Sequence, residues 1–213
     1  MPNTHYRSFT RRWLLAAVAA LPAAPALAAP RVVTVLGDSI TAGYGLPSRA
    51  ALPAQLEAEL KRLGAQARVR GAGVSGDTTA GGLARIDFSV RPDTSVCVVA
   101  LGGNDLLQGV DPGRIRANLD KIIRRLKGRK VTVVLAGMRA PVQVGGAYAR
   151  EFNAVFAELA RAHGVAAYPF LLDGVLGIRS LNQRDGIHPN AAGVKIIARR
   201  LAPVVAKALN ARR

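Results

Sequence analysis

Arg31-Val32-Val33-Thr34-Val35-Leu36, followed at once by Gly37-Asp38-Ser39-Ile40-Thr41, reads as a short apolar β-strand that runs into a polar turn. The pattern recurs down the chain. Residues 67–70 (ARVR), 94–101 (TSVCVVAL), 130–135 (KVTVVL) and 165–168 (VAAY) read as four more strands, the middle ones apolar enough for burial on both faces. Helical stretches lie between them. Leu52, Leu56, Leu60 and Leu63 fall at helical spacing within 50–63, and Gly64 supplies a stop. Asp111 before Pro112 is a helix cap with proline at the first helical position, opening a helix to about residue 126. Residues 148–163 and 189–209 complete the set. Strands alternating with helices predict a parallel sheet covered on both faces, that is, a single-domain three-layer α/β/α sandwich around five strands.

Length and composition agree with one packed domain. The 213 residues fit one domain on the usual scale of about 100–200 residues each. Half are apolar and 20% are charged, which excludes a disordered chain. A single cysteine, Cys97, excludes an intramolecular disulfide, and with only three histidines there are too few ligands for a zinc site. Residues 1–28 read as an export signal. Arg7, Arg11 and Arg12 form a basic start, 13–27 is an uncharged Ala/Leu-rich run broken by Pro22 and Pro25, and Ala26-Leu27-Ala28 is a small-x-small cleavage pattern. The run is too short and too interrupted for a membrane span, which wants about 20 apolar residues. The Arg11-Arg12 pair leaves open a twin-arginine signal or an ordinary secretory one. The expectation is a periplasmic or secreted domain of residues 29–213, and the three arginines lost with the signal take its net charge from +17 to +14.

In doubly wound sheets functional groups gather where strands end at their carboxyl side. Four polar clusters follow that rule here: Gly37-Asp38-Ser39, the run from Gly71 to Thr78, Gly102-Gly103-Asn104-Asp105, and Asp185-Gly186-Ile187-His188-Pro189-Asn190 before the last helix. Each has a plain structural reading. Asp38 or Ser39 would cap a helix, as would Ser75 or Asp77; Gly102-Gly103-Asn104 would form a tight turn, and His188 a solvent-facing turn residue. Elimination narrows the histidines. His5 leaves with the signal and His163 lies in a last helical turn, where the dipole favours positive charge. His188 alone is left for a general base, with Asp185 three residues earlier to orient its ring. A serine nucleophile needs such a base, because its hydroxyl attacks poorly at neutral pH.

No Gly-x-Ser-x-Gly elbow occurs, which argues against the α/β-hydrolase arrangement. In order and spacing the four clusters resemble the blocks of the SGNH (GDSL-type) hydrolase family: Gly37-Asp38-Ser39 with Ile40 where the nickname has Leu, then Gly76, then Gly102-Gly103-Asn104-Asp105, then Asp185 to His188. The resemblance covers about residues 32–209. Within the family the compact periplasmic bacterial thioesterase/lysophospholipase/arylesterase enzymes are most similar, through Ser75-Gly76-Asp77-Thr78, Gly82-Leu83-Ala84-Arg85 and Gly186-Ile187-His188-Pro189-Asn190. The stretch from Arg139 to Tyr148 departs from their usual Pro-Asn or Ala-Asn loop, at a place expected to border the acyl pocket.

The resemblance implies a flavodoxin-like α/β fold and a serine esterase acting on carboxylic ester or thioester bonds. Ser39 is implied as nucleophile, His188 as acid and base, and Asp185 as the group that holds the ring. The backbone N–H of Ser39, the backbone N–H of Gly76 and the side-chain amide of Asn104 are implied as the oxyanion hole. Asp38 and Asp105 are expected to brace these loops, and neither cofactor nor metal is expected. The expected partners are small acyl esters, thioesters or lysophospholipids, met by a monomer. A nucleic-acid partner is not expected, since the arginines are scattered and aromatics for stacking are few. The charge suits transient contact with an anionic membrane surface. Two other readings remain at this level: an O-acetylesterase of cell-wall or exopolysaccharide glycans, using the same three residues, and a non-catalytic lipid- or carbohydrate-binding module, which would not need them together.

Overall fold

The computed structural model describes residues 30–211 together with Met1 and Asn3; apart from those two, the export signal read in 1–28 lies outside the described residues. Five strands form one sheet: β1 (Arg31–Gly37), β2 (Ala67–Gly73), β3 (Thr94–Ala100), β4 (Thr132–Ala136) and β5 (Ala166–Tyr168). All pair in parallel, in the order β2-β1-β3-β4-β5. Val33 and Val35 of β1 with Val96 and Val98 of β3 on one face, and Leu36 of β1 with Cys97 and Val99 of β3 on the other, are fully buried, because helices cover both faces. At the edge, β2 mixes arginines with small residues and stays partly exposed.

Among the described residues eight α-helices accompany the strands: α1 (Ser39–Ala42), α2 (Leu52–Arg62), α3 (Thr79–Ala84), α4 (Ile86–Ser89), α5 (Gly103–Leu107), α6 (Pro112–Gly128), α7 (Gly146–His163) and α8 (Ala191–Asn210). From β1 the chain moves outward to β2, and from β3 it moves the other way, out to β5. Right-handed crossovers therefore place their helices on opposite faces. α2 packs with α8 on one face, and α6 with α3 and α7 on the other. The three layers and five parallel strands are those expected from the sequence. In α6, Ile115, Leu119, Ile122, Ile123 and Leu126 make one buried stripe, each such side chain contributing about 1.5–3 kcal/mol of burial.

The differences lie at boundaries. β2 continues to Gly73, beyond the expected Arg70. α2 starts at Leu52 after a 3₁₀ turn over Ser48–Ala50, because Pro53 lacks the N–H that a longer helix would need there. α8 starts at Ala191 rather than 189; Asn190 caps it, and Pro189 forms an isolated antiparallel bridge with Asn182. The short helices α1, α3, α4 and α5 carry no periodicity long enough to be read in advance.

Gly37 of β1 is in register with Gly73 of β2 and Ala100 of β3, so three strands end at one level. The chain reverses its direction of travel between β1 and β3, which opens a crevice outside their carboxyl ends. Close contact makes that rim compact. A Cβ on Gly73 would lie 2.3 Å from the Ala42 backbone nitrogen and 2.7 Å from the Asp38 carbonyl oxygen, so only glycine lets α1 rest on β2.

Candidate active site

Ser39 is the first residue of α1, carried there directly from the end of β1. Asp38 caps this helix, its Oδ1 accepting from the Ile40 N–H at 3.0 Å, so the plain capping reading holds for Asp38 and not for Ser39. Burial pushes the Asp38 carboxyl up to about 6, despite that hydrogen bond.

His188 arrives from a different part of the chain, the loop between Asn182 and α8. Its Nε2 lies 2.9 Å from Ser39 Oγ and its Nδ1 lies 2.6 Å from Asp185 Oδ2. Asp185 Oδ1 also accepts the N–H groups of His188 (3.0 Å) and Ile187 (2.9 Å). These contacts, led by the His188 backbone N–H, hold the Asp185 carboxyl down at about 2. The Tyr44 ring lies 4.6 Å from the imidazole, centre to centre. Gln183 fastens the loop: its amide donates to the carbonyls of Tyr44 (2.8 Å) and Pro189 (3.1 Å), and its backbone N–H donates to the His188 carbonyl (2.8 Å).

Asn104 lines the same cavity as Ser39 and His188, whereas Gly76 is not among the residues that line it. Gly76 occupies the turn after β2 at φ +82°, a conformation that strains any residue with a Cβ. Apart from its own chain neighbours, no described residue has an atom within 4 Å of a Cβ built there, so within the protein itself this φ, rather than crowding, requires glycine. Asn104 is not a turn residue: it stands in the first turn of α5, entered through Gly102 at φ +117°. Its Nδ2 donates to the Asp77 carbonyl at 2.9 Å and reaches Asp38 Oδ2 at 3.5 Å. Asp105 braces the loops as expected. It is buried and accepts the Thr79 N–H and hydroxyl at 2.8 and 2.6 Å, tying α5 to α3.

The capping reading of Ser75 and Asp77 fails, because Thr78 caps α3. Asp77 instead pairs with Arg85 at 2.7 Å. The Arg85 guanidinium also donates to the carbonyls of Gly37 and Ala72, each at 2.9 Å, so one side chain joins the ends of β1 and β2 to the loop that presents Gly76. Sequence reasoning assigned Arg85 no such role. Gly37 is 48 residues away along the chain, and nothing local to Gly82-Leu83-Ala84-Arg85 announces the contact.

Ser39 and His188 open onto a cavity of about 280 Å³. Ile40, Leu106, Met138, Phe170 and Leu172 make most of its wall apolar, while Arg139 stacks over the Phe170 ring at 5.4 Å. The divergent stretch 139–148 supplies Arg139 and Pro141 to this wall, and Val142–Val144 continues as an exposed 3₁₀ turn. A larger groove of about 900 Å³, at the amino ends of β4 and β5, shares none of these residues. Among the described residues no group of three or more His, Cys, Asp or Glu side chains could hold a metal ion.

The sheet and the crevice define a hydrolase of the flavodoxin-like α/β class, with a serine hydroxyl hydrogen-bonded to an imidazole beside an apolar pocket. The GDSL-like lipase/acylhydrolase family model matches residues 35–196. The chain is 36% identical over 183 residues to esterase TesA of Pseudomonas aeruginosa, a match spanning 85% of this chain and 91% of that protein. It is 34% identical to thioesterase 1/protease 1/lysophospholipase L1 of Escherichia coli K12, across 84% of this chain and 86% of that one. The crystal structure of AlinE4, an SGNH-hydrolase family esterase, is 44% identical over 84% of this chain and 96% of its own, with a TM-score of 0.71. The chain belongs to the GDSL-like lipase/acylhydrolase family, and it is a carboxylic ester hydrolase.

Proposed function

We propose that the chain is a serine esterase that cleaves carboxylic esters or thioesters of apolar acyl groups through Ser39, His188 and Asp185. The observation that carries this reading is the unbroken series Asp185–His188–Ser39, at 2.6 and 2.9 Å, at the mouth of an apolar cavity. Ser39 Oγ attacks the acyl carbonyl while His188 Nε2 takes its proton. Asp185, anionic because its carboxyl is held at about 2, fixes the ring with Nδ1 protonated and balances the imidazolium. The oxyanion accepts hydrogen bonds from the N–H of Ser39, the N–H of Gly76 and the Asn104 amide, whose second hydrogen stays with the Asp77 carbonyl. Collapse breaks the carbonyl–oxygen or carbonyl–sulfur bond, and the leaving alcohol or thiol takes the proton from His188. Water then attacks the acyl-serine, His188 removes its proton, and the carboxylic acid leaves as Ser39 is restored.

The apolar wall supports acyl chains, as in aryl esters, acyl thioesters and lysophospholipids, over acetyl groups on a glycan. The reading also includes export through residues 1–28, a monomeric enzyme, and transient contact with anionic membranes. Turnover of p-nitrophenyl esters of two to sixteen carbons, beside an acyl-CoA and lysophosphatidylcholine, measures the preference. Ser39→Ala and His188→Ala should each abolish most hydrolysis while melting like the parent, and the double variant should lose little more, because such residues act as a unit. Parent-like turnover by Ser39→Ala rejects the mechanism.

A further inference from the structure

Around the mouth of the Ser39 cavity the chain leaves much apolar surface in solvent. Leu107, Leu176 and Ile187 line the cavity yet are 66%, 46% and 46% exposed. Val142 and Val144, just beyond the lining residue Pro141, are 73% and 47% exposed. Tyr44, against His188, is half exposed as well. By contrast, the exposed Leu63 and Phe88 lie at the other end of the sheet, ahead of β2 and β3. Single exposed apolar residues are ordinary, whereas a set gathered about one opening marks a contact surface.

Cations flank the same opening. Arg139 lines the cavity. Arg179 and Arg184 line a second cleft of about 620 Å³, whose Gly177 and Gly186 are chain neighbours of Leu176 and Ile187 in the cavity wall. Among the described residues none of these three arginines has a carboxylate partner. Apolar side chains beside unpaired cations match a layer in which acyl chains lie under anionic head groups.

We propose that this face docks the protein on an anionic phospholipid bilayer, with the Ser39 cavity opening toward the lipid. The inference rests on the acyl-ester reading of Ser39 for its purpose, because single-chain lipid esters reside in that layer. Docking itself needs no turnover. The net charge, +14 once residues 1–28 are removed, adds long-range attraction, while Arg139, Arg179 and Arg184 determine which face arrives first.

Co-sedimentation of the exported protein with vesicles of phosphatidylcholine, with and without phosphatidylglycerol, tests this directly. The parent should bind the phosphatidylglycerol vesicles and leave the neutral ones largely free. Val142→Ser with Val144→Ser, through about 0.8 kcal/mol per apolar carbon withdrawn from lipid, and separately Arg179→Glu with Arg184→Glu, through about 1 kcal/mol per cation near the surface, should each weaken that binding roughly tenfold or more. Both should hydrolyse soluble p-nitrophenyl butyrate as the parent does. Arg68→Glu with Arg91→Glu, at the amino ends of β2 and β3, changes the net charge equally and should bind nearly as well as the parent. Equal losses in the two charge-reversal pairs would mean that overall charge, not this face, holds the membrane, and the proposal fails. It fails too if the parent binds neither kind of vesicle. A parent that binds vesicles but hydrolyses no ester refutes the esterase reading and leaves the docking face standing.

Discussion

In the proposed mechanism Asn104 does two jobs with one amide. One hydrogen of Nδ2 goes to the Asp77 carbonyl at 2.9 Å, which locks α5 to the Gly76 loop, and in that mechanism the other leaves its long 3.5 Å contact with Asp38 Oδ2 to meet the oxyanion. Asn104→Ala should therefore lower kcat by roughly 10²–10³ with KM little changed, by comparison with the loss of oxyanion donors elsewhere. Asn104→Asp should be worse in both respects, since a carboxylate would face the Asp77 carbonyl oxygen and the Asp38 carboxyl as well as the oxyanion. Steady-state kinetics and melting curves for both variants decide the point: a lower melting temperature with parent-like kcat would leave Asn104 a bracing residue only. Asp38 makes a different prediction. Its carboxyl titrates near 6 in the folded protein against an ordinary value of 3.8, so the fold binds the proton more tightly than the unfolded chain does. Its contribution to stability is therefore greatest below about pH 4 and is lost as pH rises through 6. Asp185 has the opposite sign: its contribution is present above about pH 4 and is lost as pH falls toward 2. Asp38→Asn, which retains a capping side chain, should flatten the decline in stability between pH 4 and 6. Denaturant titrations across that range check it, and an unchanged slope would assign the decline to other groups.

At the scale of elements, the long helices were legible because their apolar residues repeat over three turns or more, as in the buried stripe of α6. The one-turn helices that hold Ser39 and Asn104 were not, since four or five residues carry no period. Asn190 shows how such local parts are joined. Its Oδ1 caps α8 through the N–H groups of Ala192 and Gly193, and its Nδ2 donates to the carbonyls of Ser180 and Asn182. One side chain thus fixes both the start of α8 and the loop from which His188 reaches Ser39. Asn190→Ala should cost about 1–2 kcal/mol for the lost cap and reduce kcat as well. Asn190→Asp keeps the cap acceptor but not the two donors, so it should recover most of the stability and little of the rate. Recovery of both would place the whole effect in the cap.

At the scale of the molecule, the one tryptophan, Trp13, belongs to the proposed signal. Protein recovered after export should show tyrosine-only fluorescence and a mass beginning at Ala29, and tryptophan emission from exported material would contradict cleavage after Ala28. Sequence alone determined the strand–helix alternation, and with it the parallel sheet, because hydrophobic period is a local property that each segment carries by itself. It also determined which residue types stand at the strand ends, and left His188 as the one histidine for a base. What only the tertiary structure decided is which of these meet. Ser39 and His188 are 149 positions apart, and their 2.9 Å contact is held where Gln183 ties the final loop to the Tyr44 carbonyl just beyond α1 while Asn190 fastens that loop to the start of α8. The meeting of Arg85 with Gly37, and of Asn104 with Asp77, is likewise a product of strand order. Long-range contacts of this kind follow from how the layers close on one another, and no local pattern in the chain encodes them.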